Sequence, residues 1–263
     1  MQPAEYAFLY ELEGDYWWFA GMREITAALL DQMCPPDRDR LILDAGCGTG
    51  GMLSWLTRFA GAGRVAGIDL VGTALGFCRQ RRHEMLAQAS VINLPFPKST
   101  FDLFTSFDVL YQLGGKESDE SAISEMYRVL KPGGLAFVRV AAHEWMKSSH
   151  DEALGTQHRY SLNELVSKMK QAGFEILRDT YANSLLMPVA MLRRLLLKRV
   201  GLASPGSDVR PLPSGLQWLS SAMTLTLKAE ALWLKRPGAR LFMGLSAICV
   251  ARKPLAAGSA KTS

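Results

Sequence analysis

Leu41-Ile42-Leu43-Asp44-Ala45-Gly46-Cys47-Gly48-Thr49-Gly50 is the stretch on which the reading of this chain turns. Three apolar residues read as a buried strand, and the run beyond Ala45 must turn sharply into a helix. Glycine at 46, 48 and 50 permits positive φ and lets the backbone approach a ligand closely. The amides that open the following helix then point into the crevice. Dinucleotide-binding folds also open with such a turn, so the neighbouring segments have to decide.

Working outward, 64–69 is a second apolar strand ending on Asp69, 23 residues after Gly46. That is near the spacing at which an acid reaches a ribose hydroxyl pair. Leu94-Pro95-Phe96 follows, then the strand-like Phe101-Asp102-Leu103-Phe104-Thr105-Ser106-Phe107 and the run Arg128-Val129-Leu130-Lys131-Pro132-Gly133-Gly134. In this order the segments closely resemble the class I S-adenosylmethionine (SAM)-dependent methyltransferases, over roughly residues 40 to 142. A nicotinamide-dependent Rossmann enzyme would explain the glycines and Asp69, but neither Leu-Pro-Phe nor Lys-Pro-Gly-Gly. The resemblance implies an α/β fold: a doubly wound, mostly parallel seven-stranded sheet with SAM as cofactor.

Element by element, the periodicity predicts helices at 22–33, 50–60, 72–86, 118–129 and 161–172, and strands at 41–45, 64–69, 89–92, 101–107, 135–142 and 174–181. Ser161 and Glu164 form a capping box. A last strand is expected at 241–252, with about sixty residues intervening where the resembled family has one helix. That insertion holds two basic, apolar segments, 185–200 and 216–234; Lys228 and Glu230 interrupt the second and argue against a membrane span. The domain plan is an N-terminal aromatic lid and helix (1–36), the SAM-binding core (37–183), a basic helical insertion (184–240), the final strand (241–254) and a disordered tail (255–263).

Charge divides the chain. Residues 184–263 carry 12 Lys/Arg and 2 Asp/Glu, a net of +10, while residues 1–183 carry a net of −5. The basic part suits an anionic partner or a solvated face. The insertion is read first as a cap over the acceptor, with homodimerisation or an anionic membrane surface as alternatives. The four cysteines are scattered without metal-ligand spacing, so no metal site is expected and a reducing cytoplasm fits. No basic flank with an apolar core opens the chain, so no signal peptide is expected.

Residue by residue, the resemblance places Asp44, Ala45, Gly46 and Gly48 around the methionine part of SAM, Asp69 on the ribose, and Leu70, Asn93 and Leu94 near adenine. Phe107 would offer its backbone. Ser90-Val91 stand where many relatives have Asp-Ala. Tyr16-Trp17-Trp18-Phe19 resembles the Trp-Trp-Phe-x-x-x-Arg opening of some bacterial small-molecule and sugar-pathway methyltransferases; the cluster is either a staple packing this segment onto the core or a lid over the cofactor, with Arg23 placed to meet the SAM carboxylate. On the acceptor side Trp18, Tyr111, Gln112, Arg159 and Tyr160 are candidate substrate contacts. His150, His158 and His143, in that order, are candidate bases with Tyr111 beside them; a structural role is the alternative for each histidine.

No Asn/Asp-Pro-Pro-Tyr/Phe follows the fourth strand and no Pro-Cys occurs, which disfavours nucleobase amine and cytosine-C5 chemistry. The expected reaction is methylation of an oxygen or nitrogen on a small, partly apolar acceptor, anionic and lipid-linked ones included, by a monomer or homodimer. An RNA-modifying enzyme using the basic insertion, and a non-catalytic SAM-binding scaffold, are the alternatives.

Overall fold

The computed structural model describes residues 3–14, 16–35, 37–115, 118–147, 151, 155–192 and 217–255. Helices α1 (Pro3–Leu12) and α2 (Trp17–Leu30) precede β1 (Leu41–Ala45), α3 (Gly51–Leu56), β2 (Arg64–Asp69), α4 (Gly72–Gln80) and β3 (Leu86–Gln88). Then come β4 (Phe101–Phe107), α5 (Ser118–Val129), β5 (Leu130–Ala141), α6 (Leu162–Gln171), β6 (Glu175–Ala182), α7 (Gln217–Leu234) and β7 (Ser246–Arg252). The seven strands pair in the order β3-β2-β1-β4-β5-β7-β6. Only β7 runs antiparallel to its neighbours, on both of its edges. Strand order reverses between β1 and β4, and this is where a doubly wound sheet opens its ligand crevice.

Several expected boundaries move. Tyr16 is extended (φ −65°, ψ 131°), so α2 starts at Trp17 and takes the aromatics into its first turn instead of beginning at 22. The third strand is 86–88 rather than 89–92, because Asn93 N–H bonds back to the Ser90 carbonyl at 3.1 Å and closes a turn there. Leu130 already pairs with Phe101, and Leu135 with Leu103, so 131–134 bulge out of register and Pro132 is spared a ladder bond it could not make. β7 begins at Ser246, not 241. As expected, Ser161 caps α6, its Oγ accepting from Glu164 N at 3.1 Å. The tail 256–263 and the middle of the insertion, 193–216, lie outside the described residues.

The inserted helix α7 packs along α2, so the N-terminal segment and the insertion form one layer over the sheet. Their approach depends on Gly21, where a Cβ would lie 2.2 Å from Leu227 Cδ1 and 2.6 Å from its Cβ. Glu230, which interrupts the apolar pattern, is buried; its Oε1 accepts from Leu185 N at 2.7 Å and ties α7 to the turn after β6. Burial pushes the carboxyl of Glu230 up, and backbone N–H groups of residues 183–185 pull it back.

Overpacking at this crossing has a measurable cost. Gly21→Ala should lower unfolding free energy by about 1–3 kcal/mol in urea denaturation. Combined with Leu227→Ala, which makes room, the two losses should fall short of additivity by about 1 kcal/mol or more.

Candidate active site

A cavity of about 670 Å³ opens above the C-terminal ends of β1, β2, β4 and β5, roofed by α1, α2, the 183–192 segment and α7. Its volume is that of a small-molecule site. Acids gather on one side. Asp69 closes β2 and holds two backbone amides, Oδ2 accepting from Gly48 N and Oδ1 from Val71 N, each at 2.9 Å. Asp44, at the end of β1, is fully buried and accepts from Thr105 Oγ1 at 2.7 Å. Burial, aided by the nearby charges of Glu13 and Asp69, pushes its carboxyl up to about 7 despite the Thr105 bond. Burial also raises Asp69 and Glu13.

Glu13 is the residue that sequence reading missed. It leaves the end of α1 and drops its Oε2 onto Thr49 Oγ1 (2.5 Å), Gly51 N (2.9 Å) and Arg81 Nη2 (3.4 Å). An acid thus occupies the amide at the start of α3, where a dinucleotide pyrophosphate would need to bind. Three carboxylates lining one side of the cavity, Glu13, Asp44 and Asp69, favour a cationic ligand and oppose an anionic one. All three glycines of the turn take positive φ: Gly46 (+83°), Gly48 (+54°) and Gly50 (+87°). At Gly46 a Cβ would lie 2.2 Å from Val109 Cγ2, so the neighbouring side chain as well as the backbone requires glycine.

The opposite side is built from buried ion pairs. Arg139 on β5 lies between the rings of Trp18 and Phe107, 4.9 and 5.0 Å from their centroids. It donates from Nε (2.9 Å) and Nη2 (2.5 Å) to Asp108 Oδ2, and Asp108 takes a left-handed backbone (φ +62°) that Asp tolerates better than most residues. Arg159 donates from Nε to Asp151 Oδ1 at 2.7 Å and from Nη1 to the Ala142 carbonyl at 2.9 Å. Two buried polar atoms on lining residues, Thr156 Oγ1 and Asn183 Oδ1, have no hydrogen-bond partner among the described residues.

Of the residues singled out from sequence, Trp18, Asp44, Gly46, Gly48, Asp69, Leu70, Phe107, Tyr111, Gln112 and Arg159 line this cavity. Others do not. The Ala45 side chain is in the core beneath β1. Arg23 donates to the carbonyls of Glu13 and Gly14, both at 2.8 Å, and fastens the α1–α2 turn instead of facing the cavity. Asn93 is exposed; Leu94 is core, its amide held by Glu125. Ala89, Ser90 and Val91 line the wall in their place, beside Leu70, which is 67% exposed. Tyr160 is core and donates to Asp119 Oδ2 at 2.7 Å.

The base candidates also separate. His158 lies outside the cavity between Glu164 (2.9 Å) and Glu144 (3.4 Å). His143 stacks on Tyr181 at 4.9 Å, away from the lining, with its basicity lowered by burial and then by Arg159. Burial raises the Tyr111 phenol well above its ordinary value, so it stays protonated. His150 lies outside the described residues.

A strand-order switch, a glycine turn bonded to the acid of β2, and an acidic crevice together define a SAM-binding methyltransferase domain. Residues 43–138 match the family described as Methyltransferase domain. Over that stretch the chain carries a class I SAM-dependent methyltransferase domain, with SAM as its cofactor. It is 30% identical over 161 residues to a sterol 24-C-methyltransferase of Eremothecium gossypii, covering 53% of this chain and 41% of that protein. A fatty-acid O-methyltransferase of Mycolicibacterium smegmatis is 31% identical over 149 residues (49% of this chain, 50% of that protein). A tRNA (carboxymethyluridine(34)-5-O)-methyltransferase of Arabidopsis thaliana is 32% identical over 117 residues (44% and 27%). The chain therefore spans half or less of the length of these relatives. Among solved structures, Haemonchus contortus phosphoethanolamine N-methyltransferase 2, in complex with phosphomonomethylethanolamine and S-adenosylhomocysteine, superposes with TM-score 0.61. That comparison has 18% identity and covers 96% of this chain and 58% of that one.

The raised Asp44 carboxyl gives the site a pH signature. A carboxyl lifted in the folded state stabilises the fold fully below its unfolded value, and that contribution is lost as pH rises through 7. The ligand-free protein should therefore lose melting temperature between pH 5 and 8, and Asp44→Asn should flatten the profile. Cationic SAM prefers the ionised form, so its affinity should fall by up to about tenfold per unit below pH 7 in the wild type only.

Proposed function

We propose that this chain transfers the methyl group of SAM to an oxygen or nitrogen of a partly apolar acceptor bound beside Arg139 and Asn183. One observation carries the reading: the cavity is divided into an acidic side fit for a cationic cofactor and a side holding two unpartnered buried polar atoms. Asn183 Oδ1 can only accept, so it calls for a hydroxyl or amine donor. Trp17, Leu186 and Met223 add apolar surface to the same cavity and suit a hydrophobic acceptor body.

Bound SAM supplies an electrophilic sulfonium methyl group. Asp69 would accept from the ribose hydroxyls through the lone pairs left by Gly48 and Val71, and ionised Asp44 would face the methionine ammonium. The aromatic roof excludes water, and the Arg139–Asp108 pair fixes the acceptor-side wall. Holding two reactants at attack distance is worth about 7–11 kcal/mol. No imidazole lines the cavity among the described residues, and the described carboxylates opposite the acidic side, Asp108 and Asp151, are both bonded to arginine. Position, more than proton removal, is then the main contribution of the chain.

The test is transfer of labelled methyl from SAM into separated lipid, small-molecule and RNA fractions. Label should enter an apolar hydroxyl or amine compound. With that acceptor, Asn183→Ala should raise KM about tenfold, the loss of one hydrogen bond, with SAM affinity unchanged. His143→Ala and His158→Ala should keep kcat within about threefold, as expected of residues remote from the reaction. Label entering RNA alone would overturn the reading.

A further inference from the structure

The outward face of α7 is unusual for a helix that closes a protein surface. Trp218, Ser221, Leu225, Lys228, Leu232 and Lys235 recur at alternating steps of three and four, so they form a single stripe, and all are exposed. Leu225 is 66% and Leu232 64% exposed. Beside the stripe, Trp233 in the last turn is 46% exposed, and beyond the helix Phe242 is 84% exposed. Trp233 Nε1 donates to the Arg240 carbonyl at 3.4 Å, which holds its ring against that following segment.

Charge on this face has one sign. Lys228, Lys235, Arg236 and Arg240 are its cations, and Glu230, the only acid in 217–245, is buried on the opposite side. Arg240 pairs with Asp179, leaving three cations, and among the described residues none of the three has a carboxylate partner. Arg236 instead lies over the Trp233 ring at 5.0 Å. The cavity lies behind this face: Met223, which lines it, is two turns before the buried Glu230 on the inward side of α7.

We propose that this stripe docks the protein on an anionic lipid bilayer surface, with α7 lying in the interface. Apolar and aromatic side chains interleaved with unpaired lysines are what an interfacial helix needs: area to bury at the acyl boundary and charge to meet the headgroups. α7 lies in the plane, since no described helix is long and apolar enough to cross a membrane. A second copy is the weaker occupant. A two-fold contact would set this face against itself, bringing Lys228, Lys235 and Arg236 against like charges with no acid between them.

The experiment is co-sedimentation of the full chain with vesicles of phosphatidylcholine, or of phosphatidylcholine containing phosphatidylglycerol, at low and high salt. Light scattering and SAM calorimetry are run on every variant. Wild type should bind the anionic vesicles, weaken with salt and ignore the neutral ones. Lys228→Gln with Lys235→Gln should weaken partition about 25-fold, about fivefold per charge. Leu225→Ser, Leu232→Ser and Phe242→Ser together should weaken it by more than about tenfold. Retained SAM binding shows that the variants fold and separates this inference from the methyl-transfer reading. Equal partition onto both vesicle types, no effect of either set, or a dimer that the same substitutions dissociate would overturn it.

Discussion

One hydrogen-bonded junction organises the molecule: the carboxylate of Asp69 receiving the amides of Gly48 and Val71. It joins the turn after β1 to the end of β2 and holds open a crevice between β1 and β4. Parallel pairing brings Ala45 level with Ile68, so the two strand ends are adjacent before any side chain acts. The acid then fixes the loop and keeps lone pairs free for a ligand. Charged, glycine-rich and partly desolvated, the junction is costly as structure alone, a pattern common at functional sites.

Around this junction the remaining parts have separate duties. Glu13 fills the amide position that a pyrophosphate would want and pins α1 over the cofactor side. The Arg139–Asp108 and Arg159–Asp151 pairs build the opposite wall. Breaking either buried pair by removing one partner would leave an uncompensated charge, which ordinarily costs about 3–5 kcal/mol. The α2–α7 layer closes the top. The proposed cofactor, acceptor and membrane contacts thus fall on different segments of one chain.

Most of the core was legible because its signals are local. Apolar runs ending in Asp44 and Asp69, and the glycine turn between them, fall within thirty residues and determine strand, turn and helix without distant contacts. The missed or misplaced residues depend on partners outside the motif in which each was read. Nothing near Glu13 announces that it will meet Thr49 and Arg81. Glu230 looked like an interruption, yet it anchors backbone far away in sequence. His158, a candidate base with a structural role as the alternative, is held by Glu144 and Glu164 outside the cavity. Arg23 matched a short opening motif, but the preceding turn supplied nearer carbonyls.

The central claim is that the crevice takes SAM and its demethylated product, and not a dinucleotide, through Asp69 and its neighbours. Calorimetric titration of SAM, S-adenosylhomocysteine and NAD into the wild type and Asp69→Ala tests it most directly. The account predicts binding of both sulfur ligands, none of NAD, and weakening by at least about tenfold when the ribose acid is lost. Binding of NAD, or sulfur-ligand affinity indifferent to Asp69, would contradict it.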